Sequence, residues 1–371
     1  MRIKRLVLKN FRNYSDLSWQ PQPFLNILSG NNAQGKTNLL EAIFFCTTGR
    51  SFRTTREREM TGWPAKSCFA GVELEKINST VEIKASLDEG GRTSFQLNGS
   101  RLSRAGIFRS GLAVSFTPAD LDLVRGSPSE RRKWLDLELG PFDNRYAYNL
   151  GHYEKVLAQR NNLLRTPGGR DKLPELAAPW DEQMFIYGSS IIESRLRLLK
   201  AIFPHLREVY SALTSGKEEL SFNYLSSLPL EKGAGPEDLR RIYQETVRKK
   251  FGLEVARRQS LFGPHRDDLL FLINGAEARK FASRGQQRSL VLSLKLSLMK
   301  LFQQDNSEYP VLLLDDVFQE LDRQRRQELE RLLEGEAQVF VTSDRRLEGA
   351  FFGKAGNYTV CGGKIIKEGE V

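Results

Sequence analysis

The hydrophobic and polar positions along the chain predict a mixed α/β protein. Apolar runs at residues 3–8 and 24–28 are typical of strands, and the second run breaks into glycine before a helical pattern at residues 36–46. Two further segments, residues 81–87 and 93–99, flank an Asp-Glu-Gly-Gly sequence and so predict a β-hairpin. The first part of the chain therefore combines strands with a helix.

The hydrophobic pattern becomes helical in the middle of the chain and returns to strands after it. From about residue 121 to residue 258 it is helical and rich in charge, with loops expected at residues 167–169 and 233–236. Strands are expected outside this region at residues 112–116, 269–273, 311–316 and 338–342, with a closing hairpin around residues 362–363. We therefore expect an α/β domain, residues 1–120 and 264–371, split by a mainly helical insert, residues 121–263.

Composition narrows the classes of protein to consider. Hydrophobic residues make up 40% of the 371-residue chain, as in ordinary globular proteins, and no apolar run is long enough to suggest a membrane span. The three cysteines and three histidines are scattered, so a disulfide framework, a zinc site or a histidine base is not expected. No heptad pattern is sustained, so a long coiled coil is not expected either. We expect a soluble cytoplasmic protein without a membrane partner.

The chain is basic, with a formal net charge of +10. A polyanion is the simplest partner for such a chain, although surplus basic residues on a solvated surface give the same charge. Clusters of basic residues could neutralise phosphates, and each cluster alone is also typical of a solvated helix face. The candidate nucleic-acid contacts are Arg101 and Arg104 with Arg109, then Arg131, Arg132 and Lys133, and then Arg248, Lys249 and Lys250 with Arg257 and Arg258.

Residues 30–37, GNNAQGKT, match the phosphate-loop pattern G-x-x-x-x-G-K-[ST] between a predicted strand and a predicted helix. Glycines let backbone N–H groups close around phosphates, and Lys36 offers an ammonium to the β- and γ-phosphates. The Thr37 hydroxyl suits Mg²⁺. The sequence therefore predicts a nucleotide-binding loop.

Two carboxylates follow a continuous apolar run in VLLLDD, residues 311–316. Both emerge at the end of a buried strand, where α/β sheets bind ligands, so Asp315 suits a Mg²⁺ ligand. We expect Asp316 to point to the other side of the strand and to orient or deprotonate the attacking water. The alternative, an acidic helix cap, is less compatible with a phosphate loop in the same chain.

The segment SRGQQR, residues 283–288, opens a strongly apolar helix. Ser283 is a possible N-cap, but a helix N-terminus also binds anions through its unpaired N–H groups and its positive partial charge. The phosphate loop is expected to bind a nucleotide, which is the anion that such a helix N-terminus could contact. We therefore hypothesise that Ser283 and the Gly285 N–H contact the γ-phosphate of an ATP that another subunit holds.

These segments together resemble the RecF family of bacterial recombination mediators. The resemblance rests on NFRNY (10–14), GNNAQGKTN (30–38), GPHRDDL (263–269), SRGQQR (283–288) and LLLDDVFQELD (312–322), and it covers essentially the whole chain. It implies an ABC-type P-loop ATPase head, similar to those of chromosome-maintenance proteins, with an inserted helical arm. ATP and Mg²⁺ would lie between two such heads, each giving its phosphate loop to one nucleotide and its signature segment, SRGQQR (283–288), to the other.

The resemblance also implies roles for individual residues. Arg12 would touch the nucleotide phosphates, where the alternative is a surface arginine. Asp322, in the D-loop Glu320-Leu321-Asp322, would lie near the dimer interface, and it could cap the next helix as well. Lys36 and Asp316 are the expected catalytic residues. The remaining nucleotide contacts would be Asn31, Gly35, Thr37 and Asn38 in one subunit and Ser283, Gly285 and Gln286 in the other, with Thr37 and Asp315 on the metal.

The sequence departs from the wider ABC pattern in two places. Asp316 replaces the usual glutamate, a shorter side chain that RecF proteins share and that fits slow hydrolysis. The histidine usually found after the next strand is missing, and Thr342, Ser343 and Asp344 stand there instead. FTPADL, residues 116–121, is where we expect the counterpart of the glutamine loop. GPHRDDL could supply structure rather than contacts.

The function implied is that of an ATP-dependent DNA-binding repair protein that dimerises on ATP and hydrolyses it slowly, with stimulation by DNA. It would bind single-stranded, gapped and duplex DNA through the backbone, since no base-reading motif is present, and help RecO and RecR to load RecA at the nucleoid. One rival is a transporter ATPase subunit, in which the counterparts of Lys36 and Asp315 usually lie much closer in sequence. Another is an ATP-binding clamp without useful turnover.

Overall fold

The structure, a computed structural model, describes residues 1–109, 113–140, 143–166, 172–230, 233–318, 321–335, 337–345, 347, 351 and 355–367. The strands in these ranges are β1 (Arg2–Phe11), β2 (Tyr14–Trp19), β3 (Leu25–Ser29), β4 (Cys68–Lys76), β5 (Ser79–Leu87), β6 (Thr93–Leu97), β7 (Ser100–Leu102), β8 (Ala113–Phe116), β9 (Leu220–Leu225), β10 (Asp268–Ile273), β11 (Ala276–Glu277), β12 (Val311–Leu314), β13 (Val339–Ser343), β14 (Gly356–Cys361) and β15 (Lys364–Lys367). The α-helices are α1 (Lys36–Thr48), α2 (Arg104–Arg109), α3 (Asp122–Arg125), α4 (Pro128–Leu139), α5 (Asn144–Arg165), α6 (Leu173–Leu213), α7 (Pro236–Arg257), α8 (Ala278–Phe281), α9 (Arg284–Asn306) and α10 (Arg323–Leu333).

The chain forms two compact units. The first contains Met1–Leu121, His205–Glu219 and Ser283–Val371, and the second contains Asp122–Pro204 and Leu220–Ala282. These units divide the chain differently from the predicted domains, because residues 264–282 cluster with the second unit and the end of α6 clusters with the first. The reason is that β10 pairs with β9, which lies between the helices of the middle region.

A largely parallel sheet forms the centre of the first unit. Its order is β15-β14-β3-β13-β12-β8, and the five strands from β14 to β8 are parallel while β15 pairs antiparallel to β14. The residues of β12 are all buried, as the apolar run VLLL predicts for a central strand. Since parallel strands end at the same edge, the chain segments after β3, β12 and β8 meet there.

An antiparallel sheet lies in the same unit, in the order β2-β1-β4-β5-β6-β7. The predicted hairpin is confirmed: β5 and β6 pair with Leu87 opposite Thr93. One hydrophobic core joins this sheet, α1 and the parallel sheet; its buried residues include Leu8, Phe45 and Leu313. Packing α1 in this core fixes the helix whose first turn follows the phosphate loop.

The second unit contains α3, α4, α5, α7, α8 and most of α6, together with a three-stranded antiparallel sheet, β11-β10-β9. The turn between β10 and β11 has Asn274 and Gly275 both at positive φ. The strand β9 was not predicted. In the described part of the chain, no helix is both long enough and apolar enough to cross a membrane.

Candidate functional site

The loop between β3 and α1 has a backbone that only glycine can follow at two positions. Gly30 has φ +141°, and a Cβ there would lie 2.4 Å from the carbonyl oxygen of Val360. Gly35 has φ +115°, and a Cβ there would lie 2.5 Å from the amide nitrogen of Asn13. The glycines of the motif are therefore required by the fold, and they leave the N–H groups at the start of α1 able to bind an anion.

Side chains from distant segments brace this loop. The Asn13 amide donates to the Gln34 carbonyl at 2.8 Å, and Asn38 donates to the Asn13 side-chain oxygen, also at 2.8 Å. The closing hairpin contributes the Gly362 N–H, which donates to the Gln34 side chain at 2.8 Å. Asn38 thus supports the loop, whereas the side chain of Asn31 is exposed.

Lys36 is held at the mouth of the loop. Its Nζ donates to the carbonyl oxygens of Gly30 (2.6 Å) and Asn31 (3.0 Å), and only 5% of the residue is exposed. Backbone carbonyls are weak partners for an ammonium ion compared with phosphate oxygens. Lys36 can therefore exchange these contacts for a phosphate at little cost.

The Thr37 hydroxyl contacts Asp315 across the edge of the parallel sheet. Its Oγ1 lies 2.9 and 3.0 Å from the two carboxylate oxygens of Asp315, and burial raises the pKa of this carboxyl group. One hydroxyl and one carboxylate are the hard oxygen donors that Mg²⁺ takes from proteins when phosphates supply the rest. No cluster of three His, Cys, Asp or Glu residues with ligand geometry occurs among the described residues. These two residues therefore fit a Mg²⁺ ion shared with a bound phosphate.

The expectation that Asp316 would follow the alternation of the strand is wrong. β12 ends at Leu314, and Asp316 has φ +51°, a left-handed conformation that removes it from the strand geometry. Its N–H donates to the Thr342 hydroxyl at 3.0 Å, and that hydroxyl donates to Asp315 at 2.7 Å. Burial, and next the neighbouring charge of Asp315, raise the pKa of Asp316, which makes it a better base near neutral pH.

Thr342, one of the three residues in the region where a histidine is usual, lies near the end of β13. It is 1% exposed and joins the two acids through the single hydroxyl described above. Asp344 also faces this region, since its charge contributes to the raised pKa of Asp316. The segment after β8, residues 116–121, begins beside the same acids: the Asp315 N–H donates to the Phe116 carbonyl at 2.9 Å.

Ser283 and Gln286 form a capping box at the start of α9. The Ser283 hydroxyl accepts from the Gln286 N–H at 3.2 Å, and the Gln286 side chain accepts from the Ser283 N–H at 2.8 Å. The helix-cap interpretation is confirmed, but it does not exclude a ligand. Accepting one hydrogen bond leaves the hydroxyl proton of Ser283 available to another acceptor.

Asp322 caps α10 in the same way, accepting from the Arg325 N–H at 2.9 Å. A position near a dimer interface stays a prediction. Glu320, the first residue of the predicted D-loop, lies outside the described residues.

Arg12 is not a surface arginine. Its Nε and Nη2 donate to the two carboxylate oxygens of Glu41 at 2.9 and 2.7 Å, and Glu41 is fully buried on α1. Arg53 also pairs with Glu41, at 3.6 Å, and donates to the side chain of Asn38. Sequence reasoning missed Arg53 and Glu41. The basic run FRTTRER was a signal for Arg53, whereas nothing in the sequence marks Glu41.

Arg131 must be removed from the candidate nucleic-acid contacts. It is 4% exposed, its guanidinium binds both oxygens of Asp268 at 2.6 and 3.0 Å, and Nη1 donates to the Gly126 carbonyl at 3.1 Å. Arg132 is half-buried and donates to the Asp267 carbonyl, whereas Lys133 is exposed. A run of three basic residues on a helix therefore divides into two structural residues and one solvated residue.

The other basic candidates are exposed but differently engaged. Arg104 pairs with Glu57 and stacks on Phe95, Lys249 pairs with Glu245, and Lys250 lies over the ring of Phe262. Arg101 lines an open groove of about 590 Å³ together with Lys9 and Arg92. Arg248, Arg257 and Arg258 are exposed, and the side chain of Arg109 lies outside the described residues.

The segment GPHRDDL supplies structure within the second unit. His265 Nδ1 bonds to the Tyr153 hydroxyl at 2.7 Å, and burial lowers the pKa of His265 to about 4. Asp267 accepts from the Tyr224 hydroxyl at 2.6 Å, and Asp268 is the partner of Arg131. The histidine and the two carboxylates of this segment therefore serve the structure, while the exposed Arg266 bonds to the Ser260 carbonyl and to the Gln259 side chain.

Comparison with known proteins agrees with this architecture. The family model described as the RecF/RecN/SMC N terminal domain matches residues 2–350. A protein of Desulforamulus reducens named DNA replication and repair protein RecF is 42% identical over 343 residues, which cover 92% of each chain. The protein of the same name from Pelotomaculum thermopropionicum is 41% identical over 368 residues, 98% of this chain and 100% of the relative.

Solved structures show the same fold. The recombination mediator protein RecF with ATPrS, in the RecFOR pathway, superposes with a TM-score of 0.87 at 30% identity, over 99% of this chain and 98% of the other. An Smc head bound to the C-winged helix domain of ScpA gives a TM-score of 0.56 at 17% identity, over 99% and 97% of the two chains. The predicted fold class, an ABC-type ATPase head without a long coiled coil, is confirmed.

Proposed function

We propose, from the premise that this chain belongs to the RecF family, that it is an ATP-dependent DNA-binding protein of recombinational repair. In this proposal ATP joins two copies into a dimer, the dimer holds single-stranded, gapped or duplex DNA, and slow hydrolysis, stimulated by DNA, releases it. ATP then acts as a switch, because it stabilises the dimer only by its greater affinity for that state.

The contact between Thr37 and Asp315 supports this function best. Two residues far apart in the sequence meet at 2.9 Å beside the ammonium of Lys36, at the edge where parallel sheets bind ligands. Lys36 would offset the charge of the β- and γ-phosphates, while Thr37 and Asp315 would hold Mg²⁺, which shields phosphate charge when bound. Asp316, with its raised pKa, would take a proton from water that attacks the γ-phosphate.

The second half of the site would come from the other copy. The proposal gives Ser283, Gly285 and Gln286 to the γ-phosphate across the interface, with Asp322 beside them. The start of α9 offers N–H groups and a hydroxyl proton, while the phosphate loop already contains the groups that would bind the other side of a nucleotide. A homodimer with two such composite sites follows.

DNA binding in this proposal is directed to the backbone. The net charge of +10 and the exposed Arg101, Lys133 and Lys249 favour phosphate contacts. The affinity for DNA should therefore fall as the salt concentration rises. We further propose that the protein works in the cytoplasm at the nucleoid, where it contacts RecR and, through it, RecO and RecA. These partners are those expected of a RecF family member.

Binding to gapped DNA, measured with ATP, with ADP and without nucleotide at two salt concentrations, tests the proposal. We expect ATP alone to strengthen binding, and the Lys36→Met variant to lose this effect while keeping its weak nucleotide-independent binding. Phosphate release followed in the same samples separates a slow ATPase from an ATP-binding clamp. Equal DNA affinity with ATP and without nucleotide would refute the switch.

A further inference from the structure

Arg325 lies against the first turn of α9. A Cβ placed on Gly285 would be 2.5 Å from the Arg325 Nη1 atom, so the guanidinium occupies the space that a side chain at position 285 would need. The guanidinium of Arg325 therefore lies next to the residue whose N–H would meet a phosphate.

Two carboxylates bind the Arg325 guanidinium, one at a shorter distance than the other. Nη2 donates to Glu218 at 2.8 Å, and the other oxygen of Glu218 accepts from the Tyr210 hydroxyl at 2.6 Å. Among the residues that the structure describes, Nη1, the atom beside Gly285, donates only to the exposed side chain of Asp322, at 3.3 Å. The firm bond therefore orients the guanidinium, while the nitrogen next to the signature segment is weakly bound.

This arrangement has an electrostatic consequence. The N-terminus of α9 carries positive partial charge, and a guanidinium beside it adds a full positive charge. Both groups gain from an anion that touches them, because a phosphate oxygen accepts a charge-assisted hydrogen bond from a guanidinium N–H. The exposed carboxylate of Asp322 gives Nη1 a partner that a phosphate can replace.

We infer that Arg325 is a γ-phosphate-binding residue supplied across the dimer interface, with Glu218 as its positioning residue. The inference rests on the proposed ATP-bound dimer and adds one residue to its composite site. When the dimer forms, Nη1 exchanges Asp322 for a phosphate oxygen while Nη2 stays on Glu218. ADP lacks that oxygen, so Arg325 makes dimerisation selective for the triphosphate.

Sedimentation with ATP and with ADP tests this role in the full-length protein. Arg325→Met should raise the dimer dissociation constant in ATP by about 100-fold or more, since two symmetric sites each lose a charge-assisted hydrogen bond. ATP binding to the monomer should stay unchanged, because a monomer binds ATP through its own phosphate loop and Arg325 would contact only the nucleotide that the other copy holds. Arg325→Lys should recover part of the loss. The matched control is Arg323→Met, which removes the same charge from the exposed first residue of α10.

A second variant, Glu218→Gln, separates phosphate binding from a purely structural role. Glutamine can still accept from Nη2 and bond to Tyr210, but it leaves Arg325 less neutralised, so ATP-dependent dimerisation should be kept or strengthened. Equal losses in Arg325→Met and Glu218→Gln would overturn the inference, because the ion pair alone would then explain both. An Arg325→Met variant that dimerises like Arg323→Met would also overturn it. If the wild type itself fails to dimerise with ATP, the proposed function fails instead.

Discussion

Replacing Ser283 with aspartate separates its two roles, helix cap and phosphate donor. Aspartate caps helices as well as serine does, and its negative charge is favourable at a helix N-terminus. The free energy of unfolding of the monomer should therefore change by no more than about 0.5 kcal/mol. Aspartate has no hydroxyl proton to donate, however, and its charge would repel a γ-phosphate.

The size of the expected effect follows from symmetry. A hydrogen bond to a charged group contributes about 1.5–3 kcal/mol, and a dimer with two equivalent sites loses it twice, or about 3–6 kcal/mol. That loss corresponds to about 10²- to 10⁴-fold in the dimer dissociation constant. Sedimentation in ATP measures this constant, and thermal unfolding checks the cap. Ser283→Asn is the control, because asparagine also caps and keeps N–H donors. A Ser283→Asp variant that dimerises like the wild type would show that Ser283 is only a cap.

Four further outcomes follow from the geometry. Lys36→Met should weaken ATP binding by about 10- to 100-fold, measured by calorimetry, because one charged hydrogen-bond donor is lost. Asp316→Asn should bind ATP and accumulate as dimer while phosphate release falls by about 10²- to 10⁴-fold. Because burial raises the pKa of Asp316, its ionised form is lost at a higher pH than in an ordinary aspartate, so wild-type phosphate release should decline early on acidification. Arg131→Met should lower the free energy of unfolding by about 3–5 kcal/mol, whereas Lys133→Met should leave it within about 0.5 kcal/mol and reduce the salt dependence of DNA binding by about one counterion.

Each of these outcomes has a result that contradicts it. Unchanged ATP affinity in Lys36→Met would remove the loop from nucleotide binding. Wild-type turnover in Asp316→Asn would remove that residue from catalysis. A pH profile of phosphate release that falls only in the range of an unperturbed aspartate would mean that the burial of Asp316 has no effect on its ionisation. Equal stability of Arg131→Met and Lys133→Met would contradict the buried ion pair.

The geometry of the phosphate loop was predictable because the motif is local in the sequence. The phosphate-loop motif lies between a strand and a helix, and the parallel sheet brings Asp315 to Thr37 without any information beyond strand direction. The strand-like direction expected for Asp316 is wrong because the strand stops at Leu314 and the chain then turns through a left-handed residue. A continuous apolar run followed by acids does not reveal where the pairing ends.

The remaining misses depend on contacts between distant segments. In the sequence, Arg131 is one member of a basic run. Its structural role depends on the ion pair with Asp268, which lies 137 positions later. Strand β2 has no period-two pattern, since only its two end residues, Tyr14 and Trp19, are buried. Likewise β7 has three residues and β9 lies among helices. Such elements are stabilised by the sheets they join rather than by their own sequence.

In the proposed dimer, each nucleotide is bound by the phosphate loop of one copy and the signature segment of the other. Mixing two variants, Lys36→Met and Ser283→Asp, tests it directly by the rate of phosphate release. A mixed dimer combines the intact loop of the second variant with the intact signature of the first, so one complete site returns. We predict that each variant alone is inactive and that the mixture recovers activity. If the mixture remains as inactive as its components, the two segments do not act across an interface, and the account of an ATP-bound dimer is wrong.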